Sequence, residues 1–151
     1  MPSPIVFLDF IVDQTYYGRA CNFRPVVGGF VLRILVAEDN ALNRKVLLRL
    51  LSGVDCTVDA VENGRQALVA VQQQRYDLVL MDVRMPDLDG IAATKQMHQL
   101  LPAAECPVVY AVTAGVSPED RKECLAAGMA GFLAKPVQME ELLTLLSTLQ
   151  G

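Results

Sequence analysis

The chain lacks the usual marks of a metal-thiolate protein. Its four cysteines, Cys21, Cys56, Cys106 and Cys124, form no C-x-x-C pair, and the one histidine, His98, has no metal-spaced neighbour. The cysteines read as buried or free thiols of a reducing compartment, and His98 as a surface helix residue. Positive charge is also short. A net charge of -4 and a pI near 4.9 give no electrostatic reason to bind nucleic acid or an anionic membrane. No apolar run is long enough to span a bilayer, since the early stretch at 5–12 is broken by Asp9 and has no basic flank. The expectation is a cytoplasmic protein with no export signal and no membrane anchor. Low-complexity tracts are missing too, and 52% hydrophobic with 20% charged residues fits a packed core. At 151 residues there is room for one domain plus an extension. We place the extension at 1–30, which carries Pro2, Pro4 and Gly28-Gly29, and the domain at 31–151.

What is present from residue 31 onward is a fivefold alternation of strand-like and helix-like runs, the pattern of β-α-β units around a parallel sheet. Short apolar runs bounded by turn signals occur at 33–37 (RILVA), 77–81 (DLVLM), 108–112 (VVYAV) and 131–134 (GFLA). The segment 56–61 alternates apolar and polar residues, which suits a less buried edge strand. Asn40, Asn63, Asp89 and Ser117 read as helix N-caps, and Gly128 as a helix stop. The first helix is expected to bury Leu42, Val46 and Leu50, and the last Met139, Leu142, Leu143, Leu146 and Leu149. The expectation is that no output domain follows that helix.

Ligands of open α/β sheets gather at the carboxyl ends of the strands. At those ends stand Glu38, Asp39 and Asp82, with Thr113 and Lys135 closing two further runs. Two like unit charges about 4 Å apart repel by roughly 4 kcal/mol at an effective dielectric of 20, so three carboxylates must protonate or take up a cation. Hard oxygens suit magnesium, which often completes its shell with phosphate. A carboxylate can also act as the nucleophile that forms an aspartyl phosphate. The Thr113 hydroxyl and the Lys135 ammonium would then grip the phosphoryl oxygens.

These residues carry a resemblance. The segments ILVAEDN at 34–40, DLVLMDVRMPDLDG at 77–90, VTA at 112–114 and CLAAGMAGFLAKP at 124–136 resemble, in order and spacing, a receiver domain of the two-component response-regulator family. The likeness spans residues 31–149. It implies a flavodoxin-like doubly wound α/β fold, with a five-stranded parallel sheet in the order 2-1-3-4-5 and helices on both faces. It implies that Asp82 is the phosphoacceptor, and that Glu38, Asp39, Asp82 and the backbone carbonyl of Arg84 hold Mg2+ (or Mn2+). It implies that Thr113 and Lys135 bind the phosphoryl group, that Thr113 and Phe132 form the switch, and that the Lys135-Pro136 bond is cis. The implied donor is a histidine kinase or a histidine phosphotransfer protein, the implied reader an effector that the sequence does not name. Such a chain would catalyse its own phosphorylation and dephosphorylation while serving mainly as a signalling switch.

Other readings compete. Phe132 is also what a core aromatic at a strand end looks like. Asp87-Leu88-Asp89-Gly90 superficially resembles the D-x-D motif of a haloacid-dehalogenase-type aspartate phosphatase, although it follows Met85-Pro86 and not a strand. Asp87 and Asp89 have simpler tasks as turn and cap residues. A flavin-binding domain of the same topology would meet repulsion between its phosphate and Glu38-Asp39. The segment 124–136 also looks like the receivers of hybrid histidine kinases, and a further alternative reads the chain as a fragment of one.

Overall fold

In the computed structural model, which describes residues 31–115 and 117–150, five strands alternate with five helices. They run β1 (Leu32–Ala37), α1 (Ala41–Leu51), β2 (Cys56–Val61), α2 (Gly64–Gln73), β3 (Leu78–Asp82), α3 (Gly90–Leu100), β4 (Val108–Thr113), α4 (Pro118–Ala127), β5 (Gly131–Ala134) and α5 (Met139–Gln150), with one 3-10 turn at Ala103–Glu105. All strand pairs are parallel and the order is β2-β1-β3-β4-β5. This is the expected doubly wound sheet. The proposed extension, with Cys21 and the apolar stretch at 5–12, lies outside the described residues.

Strand periodicity divides the core in two. Leu35, Ala37, Val79 and Met81 point into a cluster under α2, α3 and α4, joined by Ala67, Val71, Ala93, Met97 and Cys124. Their neighbours Ile34, Val36, Leu78 and Leu80 point the other way, against Leu47, Leu48 and Leu51 of α1 and Leu142, Leu145 and Leu146 of α5. β3 is buried at all five positions, as a central parallel strand covered on both faces must be. β2 lies at the sheet edge with its alternate residues Thr57 and Asp59 partly exposed, as its pattern foretold.

Helix starts follow their caps. Asn40, Asn63 and Asp89 each accept the N–H three residues on. Ser117 and Asp120 form a reciprocal capping box with Pro118 at the first turn. Gly128 closes α4 with φ +105°, a left-handed conformation, and a side chain there would collide with the His98 ring, so only glycine fits. His98 is exposed as expected, yet it has a neighbour the spacing did not reveal, since its Nδ1 lies 3.3 Å from Cys106 Sγ.

Two helix phases differ from expectation. Leu42 (70% exposed) and Val46 (42%) face outward on α1, and the buried stripe is Arg44, Leu47, Leu48 and Leu51. On α5, Leu143 is exposed and Leu145 takes the buried place. Both helices carry leucines on more than one side, and the position of the sheet, which is not local information, selects the face. No described helix is long and apolar enough to cross a membrane.

Candidate functional site

Parallel strands that neighbour one another deliver their last residues to one edge. Ala37 of β1 pairs with Met81 of β3, so the residues that follow, Glu38 and Asp82, emerge side by side, with Asp39 beside them. One carboxylate oxygen from each of Glu38, Asp39 and Asp82 lies within 4.8 Å of the others. Glu38 is 1% exposed and Asp82 6%, whereas Asp39 faces solvent. Among the described residues, this is the one group of three His, Cys, Asp or Glu side chains close enough to share a metal ion.

Local bonds aim the two buried acids. Glu38 Oε1 accepts the Asn40 N–H at 3.2 Å, and Asp82 Oδ1 accepts the Arg84 N–H at 3.2 Å. Gly90 lets the β3–α3 loop fold back under the site, because its N–H donates to Val83 and a Cβ there would strike the Asp82 carbonyl. From β5, Lys135 sends its ammonium to 2.7 Å from Glu38 Oε2 and 3.4 Å from Asp82 Oδ2. Its backbone N–H is held by the Thr113 carbonyl at 3.0 Å, and the Lys135-Pro136 bond is cis, as the resemblance implied.

The electrostatics are unbalanced. Burial and the Glu38 charge push the Asp82 carboxyl up from its ordinary 3.8 to about 7, against the opposing pull of Lys135 and the Arg84 N–H. Burial alone would lower the Lys135 ammonium, but its hydrogen bond to Glu38 and the attraction of Asp82 hold it above its ordinary value. One ammonium thus faces two buried carboxylates and a third at the surface. The donor set is all hard oxygen, which fits a magnesium-like ion and leaves coordination positions for water or phosphate.

Thr113 ends β4 beside the strand that carries Asp82, and Phe132 lies on β5 next to it. The Thr113 hydroxyl donates to the Gly115 carbonyl at 3.2 Å. Phe132, paired with Ala111 across β4 and β5, packs against the α2–α4 core cluster, and the Arg121 guanidinium lies 5.2 Å from its ring centre. Asp87 adopts φ +72° in its turn and bonds Arg65 Nε at 2.7 Å, and Asp89 caps α3. Both are thereby occupied as turn and cap, and neither joins the acidic group.

One polar residue of the site escaped the sequence reading. Arg44, 7% exposed, reaches under the acidic turn and donates from Nη1 to the Glu38 carbonyl at 2.8 Å and the Asp39 carbonyl at 3.4 Å. Arg44, Leu47, Leu48 and Leu51 do follow i, i+3, i+4, i+7, but the rival stripe Leu42, Val46 and Leu50 is fully apolar and hides that pattern.

The response regulator receiver domain family matches residues 34–147. Histidine protein kinase 1 of Candida albicans is 38% identical over 127 residues, covering 78% of this chain but 5% of the kinase. The signal transduction histidine-protein kinase BarA of Escherichia coli is 38% identical over 115 residues, covering 76% and 12%. The chain therefore spans only a small part of the curated relatives it matches. Among solved structures, the receiver domain of sensor histidine kinase PA1611 from Pseudomonas aeruginosa, with a magnesium ion in its active site cleft, has TM-score 0.73 and 36% identity over 81% of this chain and 100% of that one. A co-crystal structure of the Saccharomyces cerevisiae phosphotransfer protein Ypd1 with the receiver domain of Ssk1 gives TM-score 0.68 and 26% identity, covering 74% and 83%. Sheet order, acidic edge and family match agree, and the chain belongs to the response regulator receiver domain family of two-component phosphorelays.

Proposed function

We propose that Asp82 accepts a phosphoryl group from a phosphohistidine, on a histidine kinase or a histidine phosphotransfer protein, in a reaction that requires Mg2+ held by Glu38, Asp39, Asp82 and the Arg84 carbonyl. The observation that carries this reading is the surplus of buried negative charge at one strand edge, met by a single ammonium. A bound divalent ion would keep Asp82 ionised and offset the charge on the transferred phosphoryl oxygens. The Asp82 carboxylate oxygen forms the new O–P bond as the N–P bond breaks, and the leaving imidazole nitrogen keeps the electron pair. Lys135, already seated between the two buried acids, has only to turn toward the phosphoryl oxygens.

Phosphorylation adds a charge of roughly -1.5 to -2 at this point, and only contacts that differ between two states shift an equilibrium. Thr113 supplies such a difference. Its hydroxyl is spent on Gly115 in the described state and must leave that carbonyl to reach a phosphoryl oxygen. Lys135 and Thr113 share a backbone bond, so movement of one strand end is felt by the other and by Phe132 on β5. Phe132 would then leave the Arg121 cation and report to an effector.

The donor must dock over the same edge. Leu42 and Val46 stand exposed on α1, and Val46 also lines a small hollow with Lys135 and Pro136, so apolar surface rims the site where a donor has to sit. The relatives that carry receivers within histidine kinases support a phosphohistidine donor, either in the same longer protein or on a separate carrier.

Addition of beryllofluoride and magnesium, followed by amide NMR, tests the reading. We expect shifts at Thr113, Phe132 and the residues around Asp82 in the wild type, and none in Asp82→Ala. A silent wild type, or an unchanged response in the variant, would sink it.

A further inference from the structure

We infer that Arg44 is the positioning residue of the acidic turn: it grips the carbonyls of Glu38 and Asp39, holds their side chains at Asp82, and balances part of their charge before a cation arrives. The inference rests on the magnesium reading of this site and adds a residue to it. Arg44 projects from the first turn of α1 into the space beneath the β1–α1 turn and is 7% exposed. A buried guanidinium is costly unless its donors and its charge are met. Its hydrogen bonds go to two carbonyls of the turn that bears the metal-site acids, at 2.8 and 3.4 Å. The one carboxylate that pairs with it, Glu62 at the end of β2, is 3.5 Å away with a side chain 61% exposed, a geometry of little worth. No acceptor among the described residues meets its buried Nε.

The arginine is therefore poorly served as a salt-bridge partner and well placed as a clasp. Its Nη1, carried on a rigid planar guanidinium, reaches two successive carbonyls at once, and an ammonium on a flexible stem is less firmly oriented for that task. Fixing those carbonyls fixes the backbone from which both carboxylates spring. Glu38 is anchored besides by its N–H to Val61 and by its carboxylate on the Asn40 N–H, so the clasp completes a turn held at several points. The charge count supports the same role. A divalent ion with Lys135 and Arg44 would neutralise two carboxylates and a doubly charged acyl phosphate, and without Arg44 the site would keep an excess negative charge.

Packing and positioning predict opposite results for Arg44→Met. Methionine keeps much of the packing volume and removes the hydrogen bonds to the turn, so a merely structural arginine could be exchanged without loss at the metal site. If Arg44 positions the turn, R44M still folds, binds Mg2+ about tenfold more weakly by calorimetry, within the range typical for groups that orient metal ligands, and exchanges its Asn40 amide hydrogen faster in metal-free buffer. Arg44→Lys retains charge and loses the fork, and should show a smaller loss of the same kind. Glu62→Gln serves as the control and should leave Mg2+ affinity within about twofold of the wild type. A folded R44M with wild-type Mg2+ affinity and unchanged Asn40 exchange overturns the inference. Should R44M not fold, R44K decides by the same two readouts, and unchanged values there overturn it as well. A wild type that binds no Mg2+ would defeat the magnesium reading, while the exchange measurement on metal-free protein would still decide whether Arg44 orders the turn.

Discussion

The two ends of the sheet use the same kinds of side chain to opposite effect. Around the start of β3 the polar groups satisfy one another. The Tyr76 hydroxyl donates to Asp59 Oδ2, Gln74 Nε2 donates to Asp59 and to the Tyr76 oxygen at 2.8 and 2.9 Å, the Arg33 guanidinium donates to Gln74, and the Arg33 N–H donates to Asp77 at 2.8 Å. At the carboxyl edge, Glu38 and Asp82 share one ammonium with Asp39 close beside them, and Asp82 is driven up to about 7. A closed network lowers the energy of the fold alone. A network left with unmatched charge is lowered further by a ligand, and that surplus separates the functional end from the structural one.

The strongest way to break the contrast is at Lys135. We expect Lys135→Ala to bind magnesium still, with loss of the beryllofluoride-induced amide shifts beyond Asp82. Retention of shifts at Thr113 and Phe132 would show that another group couples the site to the switch. The second test is pH. Because the folded Asp82 carboxyl titrates near 7 and its ordinary value is 3.8, the folded protein keeps a proton that the unfolded chain releases between those values. Its contribution to stability is full below about pH 4 and falls as the pH rises through about 7. Denaturant unfolding of metal-free protein should show that decline, and Asp82→Asn should remove it. Magnesium should shrink it by favouring the ionised carboxylate. A flat or rising profile in the wild type would contradict the charge surplus.

At the other end, Tyr76→Phe removes the hydroxyl shared by Asp59 and Gln74 and should cost about 1–3 kcal/mol in unfolding free energy. Magnesium affinity and phosphorylation should not change, and a change in either would show that the two ends communicate. The smallest effect is expected at Arg65, whose ion pair with Asp87 is more than half exposed on both sides. Arg65→Ala should shift stability by less than about 0.5 kcal/mol, which thermal melts can check.

Much of this contrast was written in the sequence, and the rest was not for definable reasons. The caps and the convergence of Glu38, Asp39, Asp82 and Lys135 follow from local signals, because a parallel sheet always brings its carboxyl ends to one edge, whereas the strand order was implied only by the family resemblance. The face of α1 was not legible. Leu42 and Val46 look as apolar as Leu47 and Leu48, and Arg44 looks like a surface residue until the carbonyls of Glu38 and Asp39 are seen above it. Its nearest partners are backbone atoms, which leave no mark on side-chain pattern. The Thr113 hydroxyl tells a similar story. Residue type marks it as a donor, but only the structure turns it to Gly115.

Charge surplus at the carboxyl edge is what would make Asp82 a phosphoacceptor. The most direct test is peptide mapping by mass spectrometry after incubation with acetyl phosphate and magnesium, with a parallel sample in chelator. A phosphoryl group on the peptide containing Asp82, absent in chelator and absent in Asp82→Asn, is the predicted result. No adduct in the wild type, or an adduct that survives Asp82→Asn, would contradict it.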